Sequence, residues 1–277
     1  MSYPFAYLLN KCRHNPQAFA VASKIGADLS AYAARGPLAL NVLSAASAQS
    51  AAPVFNLVNS AKLHTDDMAL HNYLAHYSKY LNLYPNGMAR NKGYALPTSW
   101  PSNENYIESI VYGLPTAYYA LRILILDYGV PDLGHRKHLL GVGSFFGAHR
   151  EIGTYASRNS SGFLYWAAHT AYRDSVPRLT GCAFDAAGNP TSTDLTIGIN
   201  NSVYGITTRA DGLWSYPCAS GDNVYVTGPG GAFSGIFTMT TANVQVDLWA
   251  GSGILGTGGI ASVNFDKTAA WTAKDLE

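Results

Sequence analysis

A chain of 277 residues exceeds one ordinary core and fits two domains. Charged residues are only 13% of it, about half the share of an average soluble domain, and the formal net charge is +1. With no Lys/Arg run either, it lacks the electrostatic footprint for nucleic acid or an anionic membrane, and neither is expected as a partner.

Polarity comes instead from 19 Tyr, 27 Gly and many Ser, Thr and Asn, an extracellular style of surface. Three cysteines, Cys12, Cys182 and Cys218, allow at most one disulfide, for which Cys182 with Cys218 is the expected pair. No Cys/His spacing suits a cysteine-held structural zinc. The opening MSYPFAYLL lacks the basic-then-apolar order of a secretory signal, and the closing Leu-Glu resembles a cloning remnant. The expectation is a mature form whose export signal has been removed.

In chain order, YPFAYLLNKCRHNPQAFA repeats Phe5, Leu8, Leu9 and Cys12 at helical steps until Pro16 interrupts it. Residues 36–61 carry no charge, yet Pro37, Asn41, Gln49, Pro53, Asn56 and Asn59 argue against a membrane-spanning helix. From Ser60 to Tyr80 the helical period runs through Leu63, Asp67, Leu70, Leu74 and Tyr77. PTAYYALRILILDYG is a third helix, apolar nearly all round and therefore buried. REIGTYAS and GFLYWAAHTAY alternate like strands, so helices flanking a small sheet are expected.

Composition changes at Pro177. All eight histidines precede residue 170, and 14 bases face 9 acids before Pro177 against 4 bases and 8 acids after it. This places a boundary between residues 1–176 and 177–277. Beyond it the period becomes two: DLTIGINN, VYGITTRA, NVYVTG, SGIFTMTT and NVQVDLWA are short β-rich runs between turn residues. An all-β sandwich follows, to which no catalysis is assigned.

The first part holds the candidates for chemistry. In HTDDMALHNYLAHYSKY, His64 and His71 share a helical face, whereas His76 would point about 120° away from His64. A site must therefore combine one of these histidines with distant segments, for which Glu104 and His135 are the candidates. Two imidazoles and a carboxylate suffice for a tetrahedral divalent ion with one open position. No H-E-x-x-H occurs. His14, His64, His71, His138 and His169 read as packing or hydrogen-bonding residues, and Asp66 and Glu108 as solvated. In GVPDLGHRKHLLG, Asp132 reads as a turn or N-cap oxygen and Arg136 as a clamp on a carbonyl or carboxylate. GVGSFFG and NSSGF lack the G-x-S-x-G elbow, and GPGGAFSG lacks the P-loop lysine and its helix.

Taken together, LLNKCRHNPQAFA, GPLALNVLSAASAQS, HTDDMALHNYLAHYS, NKGYALPTSWPSNENY, ILDYGVPDLGHRKHLL and HREIG resemble, over about residues 5–172, the CAP superfamily of cysteine-rich secretory proteins, venom antigens and pathogenesis-related proteins, particularly its bacterial SCP-like branch. The resemblance implies an α+β chain: an exported α-β-α sandwich with a cleft of two histidines and two acids, followed here by the all-β sandwich. His76 in NYLAHYS matches the first cleft histidine, Glu104 in NENY the glutamate of the E-N motif, and His135 in LGHRKHLL the second histidine. Asp127 is the only acid at the family's fourth position, and His149 matches a further histidine of some bacterial members. LTGCAFDAAGNP and TTRADGLWSYP, in about residues 178–250, look like prealbumin-like carboxypeptidase regulatory modules.

The resemblance thus implies a secreted or periplasmic protein whose cleft binds a small-molecule, lipid, peptide or glycan ligand, through Zn2+ or another divalent cation on His76, His135 and Glu104. Two alternatives stand. In a metal-dependent hydrolase acting on peptides or cell-wall polysaccharides, His76 and His135 would hold the ion while Glu104 or Asp127 takes a proton from its water. In the other, the histidines are structural and Tyr-rich surface patches bind.

Overall fold

A computed structural model describes residues 3–42, 54–174, 176–250 and 271–277, and the backbone of 253–254. Most of the GPLALNVLSAASAQS motif, residues 43–50, lies outside them. The chain is mixed α+β. No helix among the described residues is long and apolar enough to cross a membrane.

Pro16 ends one helix and starts another. α1 (Phe5–His14) stops at Asn15, whose side chain then accepts from the Ala18 amide at 3.0 Å and caps α2 (Pro16–Ser23). Proline at the first helical position loses no hydrogen bond, because that amide is unsatisfied anyway. After β1 (Ala39–Leu40) comes α3 (Asn56–His71). The predicted helix reaching Tyr80 is corrected here: it ends at His71, with Asn72 in the left-handed region at φ 53°. Asparagine tolerates that conformation and commonly closes helices in it. The loop beyond is tied back to α3, since Asp67 accepts hydrogen bonds from the Tyr73 hydroxyl and from Ser78 Oγ (2.6 Å).

α4 (Pro85–Asn91), β2 (Glu108–Tyr112), α5 (Ala117–Leu126), α6 (Gly134–Leu140), α7 (Gly143–Gly147), β3 (Glu151–Arg158) and β4 (Leu164–Ala171) complete this half. The sheet order is β1-β3-β4-β2, with β1 parallel to β3 and the other pairs antiparallel. Strand alternation divides its side chains between two helical surfaces. Ile110, Tyr165 and Ala167 pack with Ala61 and Met68 of α3, whereas Ile152 and Ala168 join the core of α1, α5 and α6.

Among the described residues after 177 the regular elements are strands and two short 3-10 turns. β6 (Asp194–Ile199), β7 (Ser202–Thr207), β9 (Asn223–Thr227) and β10 (Phe237–Thr238) form a sheet in the order β10-β9-β6-β7. β5 (Arg178–Phe184) pairs with β8 (Leu213–Pro217), β11 (Val244–Gln245) and β12 (Leu248–Trp249), and β12 with β13 (Gly253–Ile254). Both sheets feed one core, in which Leu179, Trp214, Tyr216 and Val244 meet Leu195, Ile197, Val224 and Val226.

The expected disulfide is not formed: Cys12, Cys182 and Cys218 are buried free thiols. Register explains this. Cys182 stands opposite Leu213, while the Cys218 amide donates to the Pro177 carbonyl, five residues back along the same strand edge. That is a separation of about 16 Å, far beyond disulfide reach.

Candidate metal and ligand site

The site begins as a row across the sheet. Glu108 on β2 and Gly153 on β3 are both register partners of His169 on β4, so the three lie side by side on the face covered by α3. Gly153 makes the helix fit. A Cβ there would sit 2.1 Å from the Leu57 carbonyl carbon and the Val58 nitrogen, so the α3 backbone rests directly on the strand. From this position α3 lowers Ser60 and His64, one turn apart, onto the other two. His64 Nδ1 donates to Glu108 Oε2 at 2.5 Å, His169 Nε2 to the same oxygen at 2.8 Å, and Ser60 Oγ lies 3.0 Å from His169 Nδ1.

The second oxygen of Glu108 reaches the surface. Because α3 stops at His71, the following loop turns back and His76 Nδ1 donates to Glu108 Oε1 at 2.8 Å. Facing it, His135 Nδ1 donates to Asp127 Oδ1 at 2.7 Å. The two rings are 6.5 Å apart between centroids, with side chains 38% and 26% exposed, above carboxylates that are almost completely buried. Each Nδ1 is occupied, so each imidazole presents Nε2 outward.

Asp127 is positioned by the charged loop that follows it. It terminates α5 in the left-handed conformation, and its Oδ2 accepts from the Arg136 amide at 3.2 Å. The Arg136 guanidinium clamps the Ile125 and Leu126 carbonyls at 2.7 Å each, satisfying the open end of α5. Of the two readings of Asp132, turn or N-cap, it takes the turn: Leu133 occupies the N-cap position at φ 53°, with no side-chain cap.

The structure therefore brings His76, His135 and Asp127 together and leaves Glu104 out. The Glu104 side chain is exposed and has no hydrogen bond or ion pair among the described residues. Its place is taken by Glu108, four residues on, which is corrected from a solvated acid to a buried one, 5% exposed. The signal was present: in a strand, Glu108 shares a face with Ile110. His64 and His169 are buried and hydrogen-bonded, as the sequence reading has them, and the carboxylate they hold is Glu108.

His149 belongs to a different network on the opposite face of the sheet. There His138 lies 2.7 Å from Ser109 Oγ and 2.6 Å from Thr170 Oγ1, which also lies 2.6 Å from His149 Nδ1. Trp100, Phe145 and Phe146 surround His149.

The two networks titrate in opposite senses. Burial would raise the Glu108 pKa, but the His64 charge and hydrogen bonds from three imidazoles hold it well below the usual range. Burial would lower the His64 pKa, and Glu108 outweighs it, raising that ring above 6.5. His138 and His149 have no carboxylate partner among the described residues: burial, then neighbouring positive charge, holds His138 well below 6.5 and His149 down to about 3. Unfolded imidazoles take up protons below 6.5 and these two do not, so each makes stability fall on acidification. Between pH 6 and 4, His149→Gln is expected to reduce the slope of unfolding free energy against pH by about 1.4 kcal/mol per unit relative to the parent. Denaturant titrations at several pH values check this, and parallel slopes would refute it.

The donor set fits a divalent ion. His64, Glu108 and His169 place ligand atoms within 4.8 Å of one another, and this buried group could hold a metal once its bridging protons leave. The outer pair meets a second criterion: metal-bound histidines characteristically donate their other nitrogen to a carboxylate, as His76 and His135 do. Rings sharing a tetrahedral ion through Nε2 have centroids about 5 Å apart, and this pair stands wider, at 6.5 Å. No protein-family model matches the chain, and no curated protein matches it.

Proposed function

We propose that this is an exported CAP-type protein whose cleft binds its ligand through a divalent ion, zinc being the first choice, held by His76 and His135. Glu108 and Asp127 orient the two rings; His64 and His169 fix Glu108 from below. The observation carrying this reading is the facing imidazole pair, each Nδ1 on a buried carboxylate and each Nε2 outward. Helices on both faces of the sheet and the low-charge, Tyr-rich composition support the family and export parts of the proposal. The loop bearing His76 also exposes Leu74, Tyr77, Tyr80 and Tyr84, a rim suited to the apolar face of a lipid, sugar ring or peptide. The β half is proposed as a non-catalytic accessory unit.

A bound divalent ion would supply Lewis acidity toward a ligand oxygen. Hydrolysis is the weaker alternative, because Glu104 stands exposed outside the imidazole pair and both oxygens of Asp127 already accept hydrogen bonds, from His135 and from the Arg136 amide. Zinc titration of metal-free protein, read by calorimetry, is expected to show one saturable site. His135→Ala should weaken it about 100-fold, and Asp127→Asn about 10-fold. Absence of saturable binding in the parent would sink the metal reading. Binding that survives His76→Ala/His135→Ala but disappears in His64→Ala would move the ion to the buried group.

A further inference from the structure

The seam between the two halves contains a cavity of about 290 Å3, lined by residues from the end of α1, the 34–37 turn, α7, the start of β3 and the 241–243 turn. Three arginines line it, and none of its lining residues is acidic. We propose that this cavity binds a phosphate-class oxyanion, gripped by Arg13, Arg35 and Arg150 beside His149.

Arg13 poses the problem most sharply. It is 3% exposed, yet its hydrogen-bond partners are neutral carbonyls: Nε donates to Gly36 O at 3.2 Å and Nη1 to Leu139 O at 2.9 Å. Nη2 has no acceptor among the described residues. A buried guanidinium with no carboxylate is expensive unless something anionic balances it. The fold adds charge there instead. The Arg35 amide donates to the Arg13 carbonyl at 2.9 Å, holding a second arginine beside the first, and the exposed Arg35 side chain has no hydrogen-bond or ion-pair partner among the described residues. Burial and then the Arg35 charge lower the Arg13 pKa to about 10.

Arg150 gives one nitrogen to the Thr241 carbonyl at 2.8 Å, which leaves most of its fork free. The carboxylate next to it in sequence is already engaged: Glu151 meets Arg178 at 3.0 Å, Arg173 at 3.1 Å and the Tyr94 hydroxyl at 2.5 Å. His149 supplies an independent sign. It is 2% exposed, it lines the cavity, and its Nε2 is buried without a hydrogen-bond partner. Planar guanidinium forks match tetrahedral oxyanions, and several converging on one group are the usual solution for phosphate. The volume accommodates free phosphate or the phosphoryl end of a small monoester.

The test uses the full chain with chelator present, so its outcome is independent of the metal reading. Calorimetric titration with inorganic phosphate and with glycerol 1-phosphate is expected to show one saturable site absent with chloride. Arg35 and Arg150 reach solvent, so Arg35→Gln and Arg150→Gln should fold like the parent, with unchanged circular dichroism, and each should weaken binding about tenfold or more. Tighter binding of the monoester identifies a phosphorylated metabolite as the occupant, and tighter binding of inorganic phosphate identifies the free ion. Phosphate binding no tighter than chloride, or unaltered by the double substitution, overturns the proposal.

Discussion

Glu108→Gln is expected to lower the unfolding free energy by about 3 kcal/mol, within the range for breaking a buried ion pair from one side. The carboxylate accepts from three imidazoles at 2.5–2.8 Å with no exposed surface of its own. A glutamine keeps the shape but loses the charge, and its amide nitrogen turns a donor toward imidazole donors. Two of those rings are fully buried and cannot turn to water instead. The loss should depend on pH. The raised His64 pKa contributes stability that is complete below 6.5 and fades as pH climbs through its folded value. The lowered Glu108 pKa contributes stability that is complete above 4.5 and fades as pH drops through its folded value. The difference between variant and parent should therefore be greatest between pH 4.5 and 6.5. Urea titrations of both proteins across that range measure it; a loss below 1 kcal/mol would mean that the three histidines do not depend on this carboxylate.

Gly153→Ala is expected to cost about 3 kcal/mol or more, since a methyl group placed 2.1 Å from backbone atoms forces the helix off the strand. Overpacking is worst where the obstacle is main chain, because no rotamer change relieves it. The shift would be local in its consequences: lifting α3 withdraws His64 from Glu108 and Ser60 from His169. The variant should thus lose zinc affinity together with melting temperature, although no ligand has been altered. A variant with parental melting temperature and zinc affinity would show that the helix does not rest on this strand.

Much of the fold could be read from local pattern. α1, α5, β3 and β4 fall where apolar spacing puts them, and Pro16 marks a real break. Apolar residues continue at helical spacing past His71 and so predict a longer α3, while the stop depends on one backbone torsion at Asn72. That stop is decisive: a continuing helix would have carried His76 away from Glu108. His76 and Asp127 come from motif resemblance and His135 from its charged loop as well, none of them from periodicity. Glu108 and His169 meet through strand register, and His64 joins them through a helix seated on a glycine, none of which adjacent residues encode. The arginine-lined seam is equally hidden, since Arg13, Arg35 and Arg150 are scattered over more than 130 residues of sequence.

The packing around α1 sets an order of events during synthesis. Lys11 on that helix forms a buried ion pair with Asp275 at 2.7 Å, 264 positions away. Tyr3 and Tyr7 close edge-on over Phe184, at 5.5 and 5.3 Å. While the chain leaves the ribosome at some 5–20 residues per second, α1 emerges well before either partner exists. The Lys11 ammonium then waits ten seconds or more for Asp275 to be made, long enough for a chaperone to meet it first.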